Sequence, residues 1–264
     1  MPSAGGAAVV LSSVPTAITR AVSATLNDCQ LTWKKREPID VALARRQHRA
    51  YEQALESLGV RIDQLPPLDQ FPDAVFVEDP AIILDELAVI TAPGTPSRAA
   101  EGAAIADAVA KYRPLQRMSP PATLDGGDVV RIGRDLYVGR SKRTNDEGIA
   151  QLRAMLRPFD YTVTAVAVHG ALHLKTACTY AGHDTLLANP EWADLSAFRG
   201  VRLLTTPEPW GACVLEVNNV LVMPTNYPAT RALLERAGFS TLPVDVSELQ
   251  KAEGGCTCLS LLIQ

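Results

Sequence analysis

The stretch Phe71-Pro-Asp73-Ala-Val75-Phe76-Val77-Glu78-Asp79 sets three carboxylates around a short apolar run, with no Lys or Arg among them. Val75, Phe76 and Val77 read as a strand that is apolar on both faces, the pattern of a buried strand. Carboxylates beside a buried strand are unfavourable unless a cation meets them, so the stretch predicts a site for a positively charged guest. A second acidic segment, Thr123-Leu124-Asp125-Gly126-Gly127-Asp128, places two carboxylates around a glycine pair that permits a sharp turn. His173 stands in Leu172-His173-Leu174-Lys175-Thr176, and two thiols stand in Gly254-Gly255-Cys256-Thr257-Cys258. Thiol, imidazole and carboxylate are the parts of nucleophilic catalysis. A free thiol with a pKa of about 8.5 is only slightly ionised at neutral pH, and a nearby cation or imidazolium favours its thiolate. An acid such as Asp125 would orient the imidazole and raise its basicity. If the guest is a guanidinium, paired carboxylates can grip its planar nitrogens and leave its central carbon open to sulfur.

Taken singly, these fragments carry less. An Asp-Gly-Gly-Asp is commonly a plain turn, a histidine between leucines commonly a core residue, and a cysteine in an apolar strand commonly packing. A Cys-x-Cys in a chain with four histidines raises zinc, but His169, His173 and His183 offer no second close pair of ligands, so no metal is expected. No glycine-rich phosphate loop is present.

Elements must bring these distant residues together. The chain has 264 residues, 47% of them hydrophobic and 20% charged, with a net charge of -4. That is the composition of a soluble globular protein without the basic excess of a nucleic-acid partner. No apolar run approaches the roughly 18 residues of a membrane span. The first ten or so residues, small and uncharged, read as a flexible tail rather than a signal peptide. Five scattered cysteines read as free thiols in a reducing cytoplasm.

Periodicity predicts a strand near 14–20, a helix over 39–58 stopped by Gly59, and a strand over 60–65. Strands at 74–77 and 81–91 follow, the latter turning through Asp85-Glu86. A helix then runs from Ser97 as N-cap to Tyr112, with a short strand near Gln116. The third unit pairs 129–132 with 136–138, opens a helix with the capping box Thr144 to Glu147, and ends in a strand at 161–168. A weaker fourth unit has strands at 172–175, 185–188 and 201–204, with a short helix after Asn189-Pro190. The fifth has strands at 213–217, 220–223 and 241–244, and a helix from Pro228 to Gly238. A last strand covers 256–263. Strand–strand–helix–strand thus recurs about five times. The extra strand per unit favours a closed, radially repeated α/β assembly over a doubly wound sheet, in one domain spanning 1–264. The acidic segments, His173 and the thiols open units of the repeat, so a radial fold brings them to one end of its axis.

With these residues in place, the sequence closely resembles the dimethylarginine dimethylaminohydrolases of the guanidino-modifying pentein superfamily. The matching stretches are Phe71 to Asp79, Pro93-Gly-Thr-Pro-Ser-Arg98, Thr123 to Asp128, Ser141-Lys-Arg143-Thr-Asn145, Leu172 to Thr176 and Gly254 to Cys258, in family order over nearly the whole chain. The resemblance implies a five-bladed α/β propeller of ββαβ units with pseudo-fivefold symmetry. It also implies hydrolysis of Nω-methylated L-arginine to L-citrulline and a methylamine through a covalent thiouronium on Cys258, without cofactor or metal. By the same resemblance His173 is the general acid and base, and Asp125 supports it. Glu78 and Asp79 grip the guanidinium, and Asp73, Arg98 and Arg143 hold the amino-acid end of this small-molecule substrate. Leu31 aligns with a leucine on a lid loop, and Ala252 with a position offering a backbone carbonyl. The alternatives are an arginine deiminase acting on unmethylated arginine and a non-catalytic arginine-binding protein; oligomeric state is left open. Cys256 departs from the pattern, and its position two residues from Cys258 suggests sensitivity to oxidation or zinc.

Overall fold

The computed structural model describes residues 14–264, so the expected tail over the first ten lies outside it. Parallel strands β1 (Thr16–Arg20) and β2 (Arg61–Leu65) are bridged by α1 (Val41–Ser57). Asp40 caps α1 by accepting the Leu43 N–H, and Ala44, His48, Tyr51 and Leu55 recur at helical spacing on its buried face. Gly59, at φ +83, follows its end.

Three further sheets of the same kind, and one variant, follow. β3 (Ala81–Ile83) and β4 (Ala88–Ile90) form a hairpin; α2 (Glu101–Ala110) then leads to β5 (Leu115–Arg117), parallel to β4. β6 (Val129–Ile132), β7 (Asp135–Arg140), α3 (Asp146–Leu156) and β8 (Thr162–Ala167) repeat the order. After the four-residue α4 (Leu174–Ala177) come β9 (Cys178–Gly182), β10 (Thr185–Ala188) and β11 (Arg202–Thr205). Here a single 3-10 turn at Leu195–Ala197 replaces the helix expected after Pro190. β12 (Leu215–Val217), β13 (Val220–Pro224), α5 (Pro228–Arg236) and β14 (Ser240–Val244) complete the fifth unit. A short α6 (Ser247–Lys251), not foreseen, leads to β15 (Leu261–Ile263), which pairs with β1 so that Ile263 faces Thr16. Each of the five three-stranded sheets has one antiparallel and one parallel pair, and the first is built from both ends of the described chain.

The core is five clusters, each shared by two neighbouring sheets. Ile18 and Leu261 meet Ala88 and Ile90, while Ile82 and Val89 meet Val129 and Val138. Val130 and Val166 meet Cys178 and Leu186, and Ala181 and Leu187 meet Val214 and Leu221. Val217 and Val222 meet Ala17 and Tyr51 on the first unit again. Burial of each large aliphatic side chain is worth about 1.5–3 kcal/mol, so the apolar seams between blades hold the ring. This is the five-bladed α/β propeller that the resemblance implied.

Several expected elements near the site differ. Residues 74–77 are no strand but part of two successive turns at 72–75 and 77–80, with the Ala74 N–H donating to the Phe71 carbonyl at 3.1 Å and the Phe76 N–H to the Asp73 carbonyl at 2.9 Å. Val75, Phe76 and Val77 are as buried as expected; an all-apolar run dictates burial, not an extended backbone. Residues 172–175 are no strand either. Asp128 Oδ1 accepts the Leu174 N–H at 2.9 Å, capturing the first turn of α4. The capping box at Thr144 gives way to Asn145, which accepts the Gly148 N–H, because the Thr144 hydroxyl donates to Asp128. The helix expected from Ser97 begins at Glu101 after a 3-10 turn at Pro96–Arg98. The final strand is confined to 261–263, since Cys258 N–H turns back to the Gly255 carbonyl at 3.2 Å. Among the described residues no helix is long and apolar enough to cross a membrane.

Candidate active site

All the sequence-predicted chemical residues lie outside the strands, on segments that enter or leave the blades. His173 occupies the position before α4, with Nε2 3.0 Å from Asp125 Oδ2 and Nδ1 3.8 Å from Asp79 Oδ1. The glycine of the Asp-Gly-Gly-Asp turn is required there: a Cβ on Gly127 would stand 2.6 Å from His173 Nδ1 and 2.8 Å from Asp79 Oδ1. Asp125 is itself fixed, its Oδ1 accepting the Gly94 N–H at 2.9 Å. Burial is the largest influence on His173 and lowers its pKa. Asp79, Asp125 and Asp128 together outweigh it and hold the imidazole up at about 9. At neutral pH this is an imidazolium, poised to donate a proton.

The acidic turn divides its charges. Asp79 meets Arg98 Nη1 at 2.5 Å, and Arg98 spends its other edge on Glu101, with Nη2 2.7 Å from Oε2 and Nε 3.0 Å from Oε1. Arg98 Nη2 also donates to the Phe76 carbonyl at 3.1 Å. Burial opposes ionisation of Asp79 most strongly, yet His173 and Arg98 hold its pKa below the ordinary carboxylate value. Glu78 Oε1 accepts from Lys175 Nζ at 2.6 Å, while Glu78 Oε2 is buried with no hydrogen-bond partner. An unpartnered buried carboxylate oxygen is costly, and it marks a place where a donor belongs. Asp73 accepts the Gln30 N–H, and burial, opposed by Arg98, raises its pKa. Arg143 bonds the hydroxyls of Thr95 and Thr32 and stands 3.9 Å from Asp125.

Cys258 accepts the Gly255 N–H at 3.3 Å. The neighbouring Cys213 sulfur, then burial, then the charges of Glu78 and Asp79, all push its thiol above the ordinary value. Cys256, by contrast, is 0% exposed among core residues and its carbonyl accepts the Tyr51 hydroxyl. Two small cavities meet at His173, Cys258, Glu253 and Gly254. One, of about 30 Å³, is walled by Glu78, Cys213, Trp210 and Tyr227. The other, of about 20 Å³, is walled by Asp73, Asp79, Arg98, Arg143 and Ala252. The fold therefore gathers Cys258, His173, Asp73, Glu78, Asp79, Arg98, Arg143 and Ala252, with Asp125 behind the imidazole. Leu31 packs half-buried against the cluster around α1, on the loop above.

Four residues that sequence reasoning passed over belong to the site. Glu101 neutralises Arg98 at a readable i, i+3 spacing. Asp128, quoted in the motif but given no role, accepts from Ser141, Thr144 and Leu174, and burial raises its pKa to about 6. Glu253, at φ +63, accepts three backbone N–H groups of the loop above: Thr32 at 2.9 Å, and Trp33 and Lys34 at 2.6 Å. Cys213 comes from another sheet's approach, and no local signal announces it. Among the described residues, Asp79, Asp125 and His173 are the one grouping of three histidine, cysteine or carboxylate side chains tight enough to hold a metal ion. Its donors already face cationic partners, Arg98 and an imidazolium.

No protein-family model matches the chain. It is similar to an N(G),N(G)-dimethylarginine dimethylaminohydrolase of Pseudomonas aeruginosa, 38% identical over 226 residues, covering 84% of this chain and 89% of that one. A protein of the same name from Streptomyces coelicolor is 39% identical over 250 residues, covering 94% and 96%. Among solved structures, a cysteine-to-serine mutant of DDAH from Pseudomonas aeruginosa complexed with citrulline superposes with a TM-score of 0.90 at 37% identity, covering 94% of this chain and 98% of that one. A histidine-to-glycine dimethylarginine dimethylaminohydrolase in adduct with S-methyl-L-thiocitrulline gives 0.90 at 36% identity, covering 94% and 99%.

Proposed function

This chain belongs to the dimethylarginine dimethylaminohydrolase family, and on that premise we propose that it hydrolyses asymmetric dimethylarginine and monomethylarginine to L-citrulline and dimethylamine or methylamine. The observation that carries this reading is the meeting of an imidazolium, a thiol and an unpartnered buried carboxylate oxygen at one pair of cavities.

The guanidinium enters between Glu78, whose free Oε2 accepts an N–H, and Asp79. Asp73 takes the α-ammonium and Arg143 the carboxylate. Arg98 has both edges occupied by Asp79 and Glu101, so its part is to hold Asp79 in place. Arrival of the cation offsets the negative field that keeps the Cys258 thiol protonated, and the thiol ionises where its target has just been bound, its proton passing to solvent. The thiolate attacks the guanidinium carbon, and His173 protonates the departing amine as the tetrahedral adduct collapses. The neutral imidazole then takes a proton from water, hydroxide adds to the thiouronium carbon, and the thiolate leaves as citrulline forms. Carboxylates rather than an oxyanion hole surround the carbon because the charge to be stabilised is positive.

We read residues 14–264 as one catalytic unit acting on a small molecule, and its five free thiols suit a reducing cytoplasm. The test offers purified protein arginine, monomethylarginine and asymmetric dimethylarginine separately and measures citrulline. Citrulline from the methylated substrates is expected. Preference for plain arginine would make this a deiminase, and binding without product would make it an arginine-binding protein.

A further inference from the structure

The second thiol that matters is not the one sequence spacing singles out. Cys256 is sealed in the core, and burial pushes its thiol far above its ordinary pKa. Cys213, from the segment before β12, instead shares the cavity wall with Cys258. The two sulfurs share two anchors. The Thr257 hydroxyl lies 3.4 Å from Cys213 Sγ and 3.8 Å from Cys258 Sγ. Gly255 donates its N–H to Cys258 Sγ at 3.3 Å, and a Cβ on the same residue would stand 2.4 Å from Cys213 Sγ. Only glycine at this position leaves room for the second sulfur. The nearby Cys258 thiol and the Thr257 hydroxyl draw the Cys213 thiol down to about 7 against the effect of burial, which favours thiolate on the pair.

We propose that Cys213 and Cys258 are a redox pair which a peroxide converts into an intramolecular disulfide, sheltering the nucleophile from irreversible oxidation. The Cys213 thiolate attacks one peroxide oxygen, and the O–O bond breaks. The leaving oxygen takes up a proton to depart as alcohol, or as water from hydrogen peroxide, and Cys213 becomes a sulfenic acid. Cys258 sulfur attacks that sulfur and expels hydroxide, which leaves as water with the Cys258 proton. Two thiols are oxidised and one peroxide is reduced. A thiol without a partner continues instead to sulfinic acid, which a dithiol does not restore. The role of Cys258 rests on the hydrolase reading above; the crosslink itself does not.

Wild type, Cys213→Ser and Cys213→Ala are treated with hydrogen peroxide and blocked with a thiol reagent. They are then mapped by mass spectrometry and assayed before and after dithiothreitol. Wild type should lose two hydrogens, yield a peptide joining Cys213 to Cys258, and regain at least ten-fold activity with dithiothreitol. Both variants should lack the crosslink, and whatever activity they lose to peroxide, as sulfinic acid at Cys258, should not return with dithiothreitol. An uncrosslinked wild type, a crosslink through Cys256, or equal recovery in the variants would overturn the proposal. If the protein has no hydrolase activity at all, the peptide map still decides.

Discussion

His48 on α1 and His173 before α4 are buried alike, at 2% and 4% exposure, and each has a carboxylate beside it. Their fates are opposite. His48 Nδ1 lies 3.5 Å from Glu52, whose carboxylate also takes the Thr19 hydroxyl and the Gln64 amide. Burial dominates there, one shared acid does not overcome it, and the pKa falls. His48 Nε2 has no partner. Burial is the largest influence at His173 too, and it is overturned because three aspartates converge on one ring. A buried histidine is thus a core residue or a proton donor according to how many carboxylates the fold delivers to it.

The largest expected effect removes the sulfur that His173 serves: Cys258→Ala should abolish citrulline formation while asymmetric dimethylarginine still binds, measured by assay and calorimetry. Retained turnover would disconnect the histidine from the thiol. Asp125→Asn takes away one of the three acids and should push His173 towards the behaviour of His48. The imidazole pKa, followed by NMR, should fall from about 9, with kcat/KM lower by about 10²-fold, at the lower end of general-acid contributions. An unmoved titration would show that Asp125 is not what sustains the charge.

The same charge links to stability. A folded pKa raised above the unfolded value contributes stability that is fully present below about pH 6.5 and lost as pH rises through about 9, on the order of 3 kcal/mol. Urea midpoints should therefore fall over that window in wild type and less so in Asp125→Asn; parallel curves would count against the linkage. Glu253→Gly keeps the positive φ without strain but removes the carboxylate that holds Thr32, Trp33 and Lys34. KM should rise about ten-fold with kcat little changed, and amide exchange at 32–34 should quicken; unchanged exchange would release Glu253 from this role. The smallest effect is expected at His48→Gln, with kcat within about two-fold of wild type in the citrulline assay.

The blades were readable because strands and helices write their periods into the sequence: α1 and the β6–β7 hairpin lie where the pattern put them, within a residue or two. The site was readable in part, since Asp73 to Asp79, Asp125, His173 and Cys258 sit in compact motifs. What escaped was either conformation without a period or contact without proximity. The 71–79 segment winds through turns because its carbonyls accept from Arg98 and from its own backbone N–H groups, which no apolar pattern records. Glu253 bonds a loop more than two hundred residues away, and Cys213 reaches Cys258 only once the ring has formed. Arg98 reads as a surface charge until burial beside Asp79 and Glu101 is known.

The proposed turnover runs through a covalent thiouronium on Cys258 that His173 helps to form and to hydrolyse. Acid-quenching the enzyme during turnover of asymmetric dimethylarginine and mapping its peptides by mass spectrometry tests this most directly. A substrate-derived adduct is expected on the peptide carrying Cys258 and on no other cysteine. Citrulline produced with Cys258 unmodified throughout, or an adduct on Cys213 or Cys256, would contradict it.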